Sequence, residues 1–169
     1  MSTAPKSPAK KSVGTLMGTS VGSKGPDAIA LLKADHKAVD SLFSEFTPAR
    51  SVNRKKLLVE KICKELSIHA QVEEEIFYPA VKAALKDKKL IPEAIVEQAT
   101  MAHLISQVKG IEPDGEGYDA KVMVLCEYVK HHVKEEHTEM FPKAKKTNLD
   151  MKDLGAKLQA RKAELLASM

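Results

Sequence analysis

The chain predicts an all-α fold, an antiparallel up-down four-helix bundle, on three observations. It has no tryptophan and only eight glycines in 169 residues, and its long stretches rich in Ala, Leu, Lys and Glu favour helix over sheet. Apolar residues recur at alternate spacings of three and four along four stretches joined by short breaks, which gives each stretch one apolar face. The chain also repeats itself: Cys63, His69, Glu73 and Pro79 recur as Cys126, His132, Glu136 and Pro142 at one common offset. With 43% hydrophobic and 30% charged residues, this length suits one compact domain with tails and leaves no room for a second catalytic domain.

Residues 1–26 hold Pro5, Pro8, Gly14, Gly18, Gly22, Gly25 and Pro26 among many Ser and Thr, a composition that cannot bury enough apolar surface to order itself. This disordered tail carries Lys6, Lys10, Lys11 and Lys24 and no acidic residue, and reads either as a solubilising arm or as an anion-binding one. Those lysines account for the whole formal charge of +4. The remainder therefore has no basic excess, and nucleic acid is not expected as its partner.

The bundle is expected over 27–146. Asp27 is suited to cap a first helix that runs to about Phe46, with Ile29, Leu32, His36, Val39, Phe43 and Phe46 along its stripe. A break at Thr47 to Ser51, including Pro48, precedes a second helix with Leu58, Ile62, Leu66, His69, Glu73 and Ile76 on its seam. Pro79 should bend or end that helix, because it lacks a backbone donor and crowds the carbonyl four residues back. Lys86 to Lys89 reads as a solvated connection. Pro92 opens a third helix with Ile91, Ile95, Gln98, Ala102 and Ile105 inward. The turn Glu112-Pro113-Asp114-Gly115-Glu116-Gly117 leads into a fourth, with Val122, Leu125, Val129, His132 and Glu136 on its seam. Residues 147–169 form a C-terminal amphipathic helix with Met151, Leu154, Leu158 and Leu165 at helical spacing, which packs either on the outside of the bundle or against a second copy.

Two cysteines without CxxC spacing do not make a disulfide framework. No apolar run approaches membrane-spanning length, and the N-terminus lacks both a secretory apolar core and the arginines of an organellar presequence. A cytoplasmic protein without a membrane partner is expected; its oligomeric state is left open.

Polar residues interrupt the apolar stripes at one depth. His69 and Glu73, like His132 and Glu136, lie one turn apart on one helix face. With His36 and Gln98 they can converge inside an antiparallel bundle. Burying two carboxylates and three imidazoles without a counter-ion costs several kcal/mol per unpaired charge, roughly, which a divalent cation removes. Imidazole with carboxylate suits iron, manganese or zinc. His first with Glu four residues on is distinct from the Glu-x-x-His design of ferritin-like bundles.

Plainer readings compete. His69 with Glu73 alone would read as a surface ion pair, and His36 alone as a core histidine. His131 and Glu135 form a similar pair displaced by one residue, against which the proline alignment and the apolar seam favour His132 and Glu136. His137 falls just outside the seam and should be solvated. Cys63 and Cys126 read as small buried thiols. No Ser/His/Asp arrangement or phosphate-binding glycine loop is visible, so no catalytic residue is assigned.

The elements Asp35-His36, His69-x-x-x-Glu73, His132-x-x-x-Glu136 and Met140-Phe141-Pro142, spread over Asp27 to Lys146, resemble the bacterial hemerythrin-like, or HHE cation-binding, family. The resemblance implies a four-helix bundle with a non-haem iron centre of one or two ions. It also implies His36, His69 and His132 as terminal ligands, with Glu73 and Glu136 bridging. The implied roles are binding or sensing of dioxygen, peroxide or nitric oxide, or iron handling. A metal-dependent peroxidase or oxidase, or a structural bundle with a degenerate site, is the alternative. The chain departs from the family where Glu97 is followed by Gln98 instead of His, which should leave the centre lopsided. His103 could substitute as a ligand, although it lies about 140° around an ideal helix from Gln98.

Overall fold

A computed structural model describes residues 25–113 and 116–169. The expected disorder of the tail lies almost wholly outside the described residues. Those residues are all-helical, with no strand among them, and no helix among them is long and apolar enough to cross a membrane.

Helix α1 spans Ala28–Phe46 and is capped by Asp27, whose side chain accepts the Ala30 N–H at 2.8 Å. Helix α2 spans Val52–Val72 behind the Ser51 cap. It does not stop at the proline. The backbone widens into a π-type turn over Glu73–Phe77, then continues as α3, Tyr78–Leu85. In that turn the Tyr78 N–H reaches back five residues to the Glu73 carbonyl. Pro79 then sits in the first turn of α3, where its missing donor costs little.

Helix α4 covers Leu90–Lys109, and α5 covers Glu116–Glu135. After α5 the same device recurs: a π-type turn over Glu136–Met140, with the Phe141 N–H bonded to the Glu136 carbonyl, leads into α6, Phe141–Lys145. Each π turn thus begins at a repeated glutamate, and such turns are frequent at functional sites. The wider turn also shifts the apolar register. Ile76, expected on the seam, is only half-buried, and Phe77 takes the inner place.

The inner face of α4 differs from the expected one. Ile91, Ala94, Gln98, Met101, Ile105 and Val108 are buried, whereas Ile95 and Ala102 are exposed. Both outward residues follow a buried one directly, so they point about 100° away from the true stripe.

Two apolar clusters hold the helices together. One joins the end of α1 to the start of α2 and the end of α4 to the start of α5, through Phe43, Ile62, Met101, Ile105, Val122 and Leu125. The other joins the opposite ends through Ile29, Leu32, Phe77, Tyr78, Ile91 and Phe141. His36, Gln98, His132 and Glu136 fall between residues of the two clusters along the chain, and His69 and Glu73 fall among residues of the second.

Helix α7, Met151–Ser168, packs on α1 and α2 within the same chain. It adds Leu154, Leu158 and Leu165 to the second cluster, while Arg161 pairs with Glu75 and Lys162 with Asp35. Gly155 permits the approach. A Cβ there would lie 2.3 Å from the Pro26 carbonyl oxygen and 2.9 Å from the Ala28 nitrogen.

Candidate metal centre

Six polar side chains are buried among the described residues: His36, His69, Glu73, Gln98, His132 and Glu136. They come from α1, α2 with its π turn, α4, and α5 with its π turn, because the apolar period of each helix carries one or two polar positions to the same depth. His36, His69, Glu73 and Glu136 each bring a ligand-type atom within 4.8 Å of all the others. His36 Nε2 lies 2.9 Å from His69 Nε2 and 3.2 Å from Glu136 Oε2, and His69 Nε2 lies 3.3 Å from Glu73 Oε2.

His132 is buried beside this group but faces its far side, with Nε2 3.6 Å from Glu136 Oε1. His131 is exposed, so the register with His132 and Glu136 inward is the one adopted. His103 is corrected. Its side chain is exposed on α4 and lies 2.7 Å from the Gln107 amide nitrogen, because five residues of helix turn it away from Gln98. His137 also differs from expectation. It is half-buried, with Nε2 2.8 Å from His36 Nδ1.

Two carboxylates support the imidazoles from behind. Glu97 Oε2 accepts from His132 Nδ1 at 2.7 Å, and Asp35 Oδ2 lies 3.5 Å from His69 Nδ1. Each acid directly precedes the polar residue of its own helix, His36 or Gln98, and serves the histidine of the next helix. The Glu97 hydrogen bond presents His132 Nε2 to the interior, whereas Asp35 Oδ2 and His69 Nδ1 face each other without a hydrogen bond. Glu97→Ala should therefore weaken metal affinity by about 10–100-fold. A chelator-competition titration checks this, and unchanged affinity would refute the supporting role of Glu97.

The sequence analysis missed Tyr78. Its hydroxyl donates to Glu136 Oε1 at 2.9 Å and lies 3.1 Å from Glu73 Oε2 and 3.2 Å from His132 Nε2. Gln98 Nε2 donates both to Tyr78 Oη at 3.0 Å and to Glu73 Oε2 at 2.7 Å. A signal was available. At the common offset Tyr78 corresponds to Phe141, and a polar atom added to one half of a repeat marks a difference of use.

Electrostatics divides the two glutamates. Burial, followed by the facing Glu136 carboxylate, pushes Glu73 well above the ordinary carboxylate range. Burial acts upward on Glu136 too, but the His36 hydrogen bond and the surrounding imidazoles override it and pull the group down to about 2. Burial and the two carboxylates hold Tyr78 well above the usual phenol range, so its O–H is retained. Burial lowers His69 against the opposing pull of Asp35.

The cluster fits a cation. Glu73 Oε1, Glu136 Oε2 and Gln98 Oε1 are buried without a hydrogen-bond partner, a condition that costs about 1–3 kcal/mol per group and more for a charged one. Two imidazole nitrogens and two carboxylate groups converging there form a donor set suited to a first-row transition metal.

A helical bundle with a buried His/Glu cluster defines a cation-binding helical protein. Residues 27–144 match the hemerythrin HHE cation binding domain, and the chain belongs to that family. Its fold is similar to the crystal structure of a hemerythrin HHE cation binding domain-containing protein from Mycobacterium kansasii, with a TM-score of 0.73 and 27% identity over 85% of this chain and 90% of that one. It is also 30% identical over 111 residues to a protein of Nostoc sp. named DNA nickase. That match takes in 66% of this chain and 31% of the relative, so the chain spans about a third of that protein's length.

Proposed function

We propose that this protein is a non-haem iron protein that binds or senses dioxygen, peroxide or nitric oxide, or handles iron, at the buried cluster. The observation that carries the reading is the convergence of Glu73 Oε2 and of Glu136 Oε2, which has no hydrogen-bond partner, on His69 and His36 Nε2. His36, His69, Glu73 and Glu136 would hold the ion, and His132 would face its far side. Iron there would supply a redox-active ion with a coordination position open to a small ligand. The alternation of helix ends in the two apolar clusters supports an up-down order of the four main helices.

The chain's own residues set the conditions. A cavity of about 420 Å³, lined in part by Val39, Leu66, Met101, Ile105 and Val129, reaches His36, His69 and His132. It provides a largely apolar path for an uncharged ligand. One proton donor, the Tyr78 O–H, faces the ligand atoms. Its presence favours peroxide consumption as a second reading, because breaking an O–O bond requires a proton at the departing oxygen.

Nicking of DNA is not part of the proposal. Residues 27–169 carry no basic excess, and no extended phosphate-binding surface follows from their charge. The unpaired, buried Cys63 and Cys126 are compatible with the cytoplasm as its place.

Anaerobic loading with ferrous iron, removal of free metal, and an absorption spectrum before and after air or peroxide test the reading. Retained iron with an oxidant-dependent spectrum is expected; a folded protein that retains none would refute it. Turnover of many peroxide equivalents per iron would favour the second reading over the first. Acid should expel the metal, because protons compete for the same nitrogens and oxygens. Burial holds His69 below the ordinary imidazole range of about 6.5, so metal loss should set in on the acid side of that value. Affinity independent of pH between 5 and 8, roughly, would contradict a histidine-rich donor set.

A further inference from the structure

The cluster is two-sided, and the two sides are not alike. On the first side Glu136 Oε2 and Glu73 Oε2, an oxygen shared by both sides, meet His36 and His69 Nε2. On the second side the other Glu136 oxygen and Glu73 Oε2 meet His132 Nε2 and the Gln98 side chain, and the space between these groups is filled. Tyr78 Oη lies 2.9–3.2 Å from all four, close to the 2.7–3.2 Å expected of ordinary hydrogen bonds. A cation gripped by those groups at about 2.0–2.2 Å would have to break the hydrogen bonds that the hydroxyl and the Gln98 amide already make to them. Gln98 also turns its Nε2 inward, and an N–H donor cannot bind a cation.

We infer that the Tyr78 hydroxyl, held by Gln98, takes the place of a second cation, so that the centre binds a single ion on the His36/His69 side. The inference rests on the proposed function for the presence of iron and adds the count and the residue that sets it. The internal repeat supplies the comparison. Phe141, at the position equivalent to Tyr78, flanks the first side, its ring stacked on His36 with centroids 6.0 Å apart and planes 9° apart. It brings no polar atom there, and that side keeps its unpartnered Glu136 oxygen. Gln98, one residue short of the common offset, follows Glu97 as His36 follows Asp35, and both acids face the outer nitrogen of the next helix's histidine. Tyr78 and Gln98 are therefore the two departures from internal symmetry on the second side, and they are hydrogen-bonded to each other. The hydroxyl donates to Glu136 Oε1 while Gln98 Nε2 donates to Glu73 Oε2, so the inner oxygens of both glutamates have a neutral donor on this side.

The test is iron stoichiometry with electron paramagnetic resonance on the full chain. The protein is loaded anaerobically with excess ferrous iron, freed of unbound metal and oxidised. The expected result is one ion per chain with the signal of an isolated ferric ion. Two ions per chain, or a spin-silent coupled pair, would overturn the inference and leave the proposed function standing. No retained iron would instead overturn the proposed function. The double variant Tyr78→Phe with Gln98→His makes the second side resemble the first. It should gain a second ion and lose the isolated-ion signal although it carries more iron. A folded double variant that still binds one ion would show that Tyr78 and Gln98 do not set the count. Should the double variant fail to fold, Gln98→His alone with Tyr78 retained is expected to stay at one ion, and a second ion there would equally refute the role of the hydroxyl.

Discussion

Glu136→Gln should abolish iron retention and with it the rise in melting temperature that metal confers. The change is nearly isosteric, so the helices can keep their packing, but it replaces a carboxylate already held ionised with a neutral amide. Glu136 touches both halves of the cluster, through Oε2 toward His36 and through Oε1 toward Tyr78 and His132. The neighbouring acids Asp35 and Glu97 face the outer nitrogens of His69 and His132, so neither can take its place. A ligand that binds only the folded state, supplied at about 1,000 times its dissociation constant, stabilises by about 4 kcal/mol. For a domain of this size that is a rise of roughly 8–16 °C. Anaerobic thermal melts with and without ferrous iron read the effect. The wild type should show the shift and Glu136→Gln should not; a variant with an undiminished shift would place the metal elsewhere.

Gly155→Ala should destabilise the metal-free protein by about 3 kcal/mol, a fall in melting temperature of roughly 6–12 °C. The sign is the diagnostic part. In an exposed helix interior the same change stabilises by about 0.5–1 kcal/mol, since alanine is the better helix former. Here the new methyl would lie 2.3 Å from the Pro26 carbonyl oxygen, a backbone atom that cannot rotate away. Either α7 or the entry to α1 must shift, and α7 carries both Lys162, paired with Asp35, and Leu158 of the core. Unchanged or raised stability would mean that α7 does not sit this close to α1.

Much of the fold was legible in the sequence because a helix imposes a local rule. Every residue from Ile29 to Phe46 placed on the first stripe is buried, as are Leu58 to Glu73 on the second and Val122 to Glu136 on the fourth. The third stripe was misread where Ile95 and Ala102 competed with Ala94 and Met101, because adjacent apolar residues make the phase ambiguous. Pro79 was expected to bend or end the second helix; the α-helical ladder of α2 ends before it, at Val72, and a π turn leads into α3 with the proline in its first turn.

The candidate site divides in the same way. His36, His69, Glu73, His132 and Glu136 could be picked out by helical phase, by the repeat and by the family resemblance. Asp35 and Glu97 were visible as neighbours of the inward residues, but their service to a histidine on another helix was not. Tyr78, next to Pro79, drew no reading from the sequence, since nothing in helical phase distinguishes a buried phenol from a buried phenyl. His137 read as solvated, one residue off the seam, whereas the wide turn that starts at Glu136 brings it to His36.

The sequence by itself determined that the chain is helical, which face of most helices is inward, and that imidazoles and carboxylates share those faces at matching depth. These follow from a rotation of about 100° per residue, which acts within one segment and needs no knowledge of the others. Only the tertiary structure decided that His103 is outside, that Glu97 and Asp35 brace rings on neighbouring helices, and that a phenol fills one side of the cluster. Those facts depend on distances of a few ångströms between segments far apart in the chain, which helical phase does not encode.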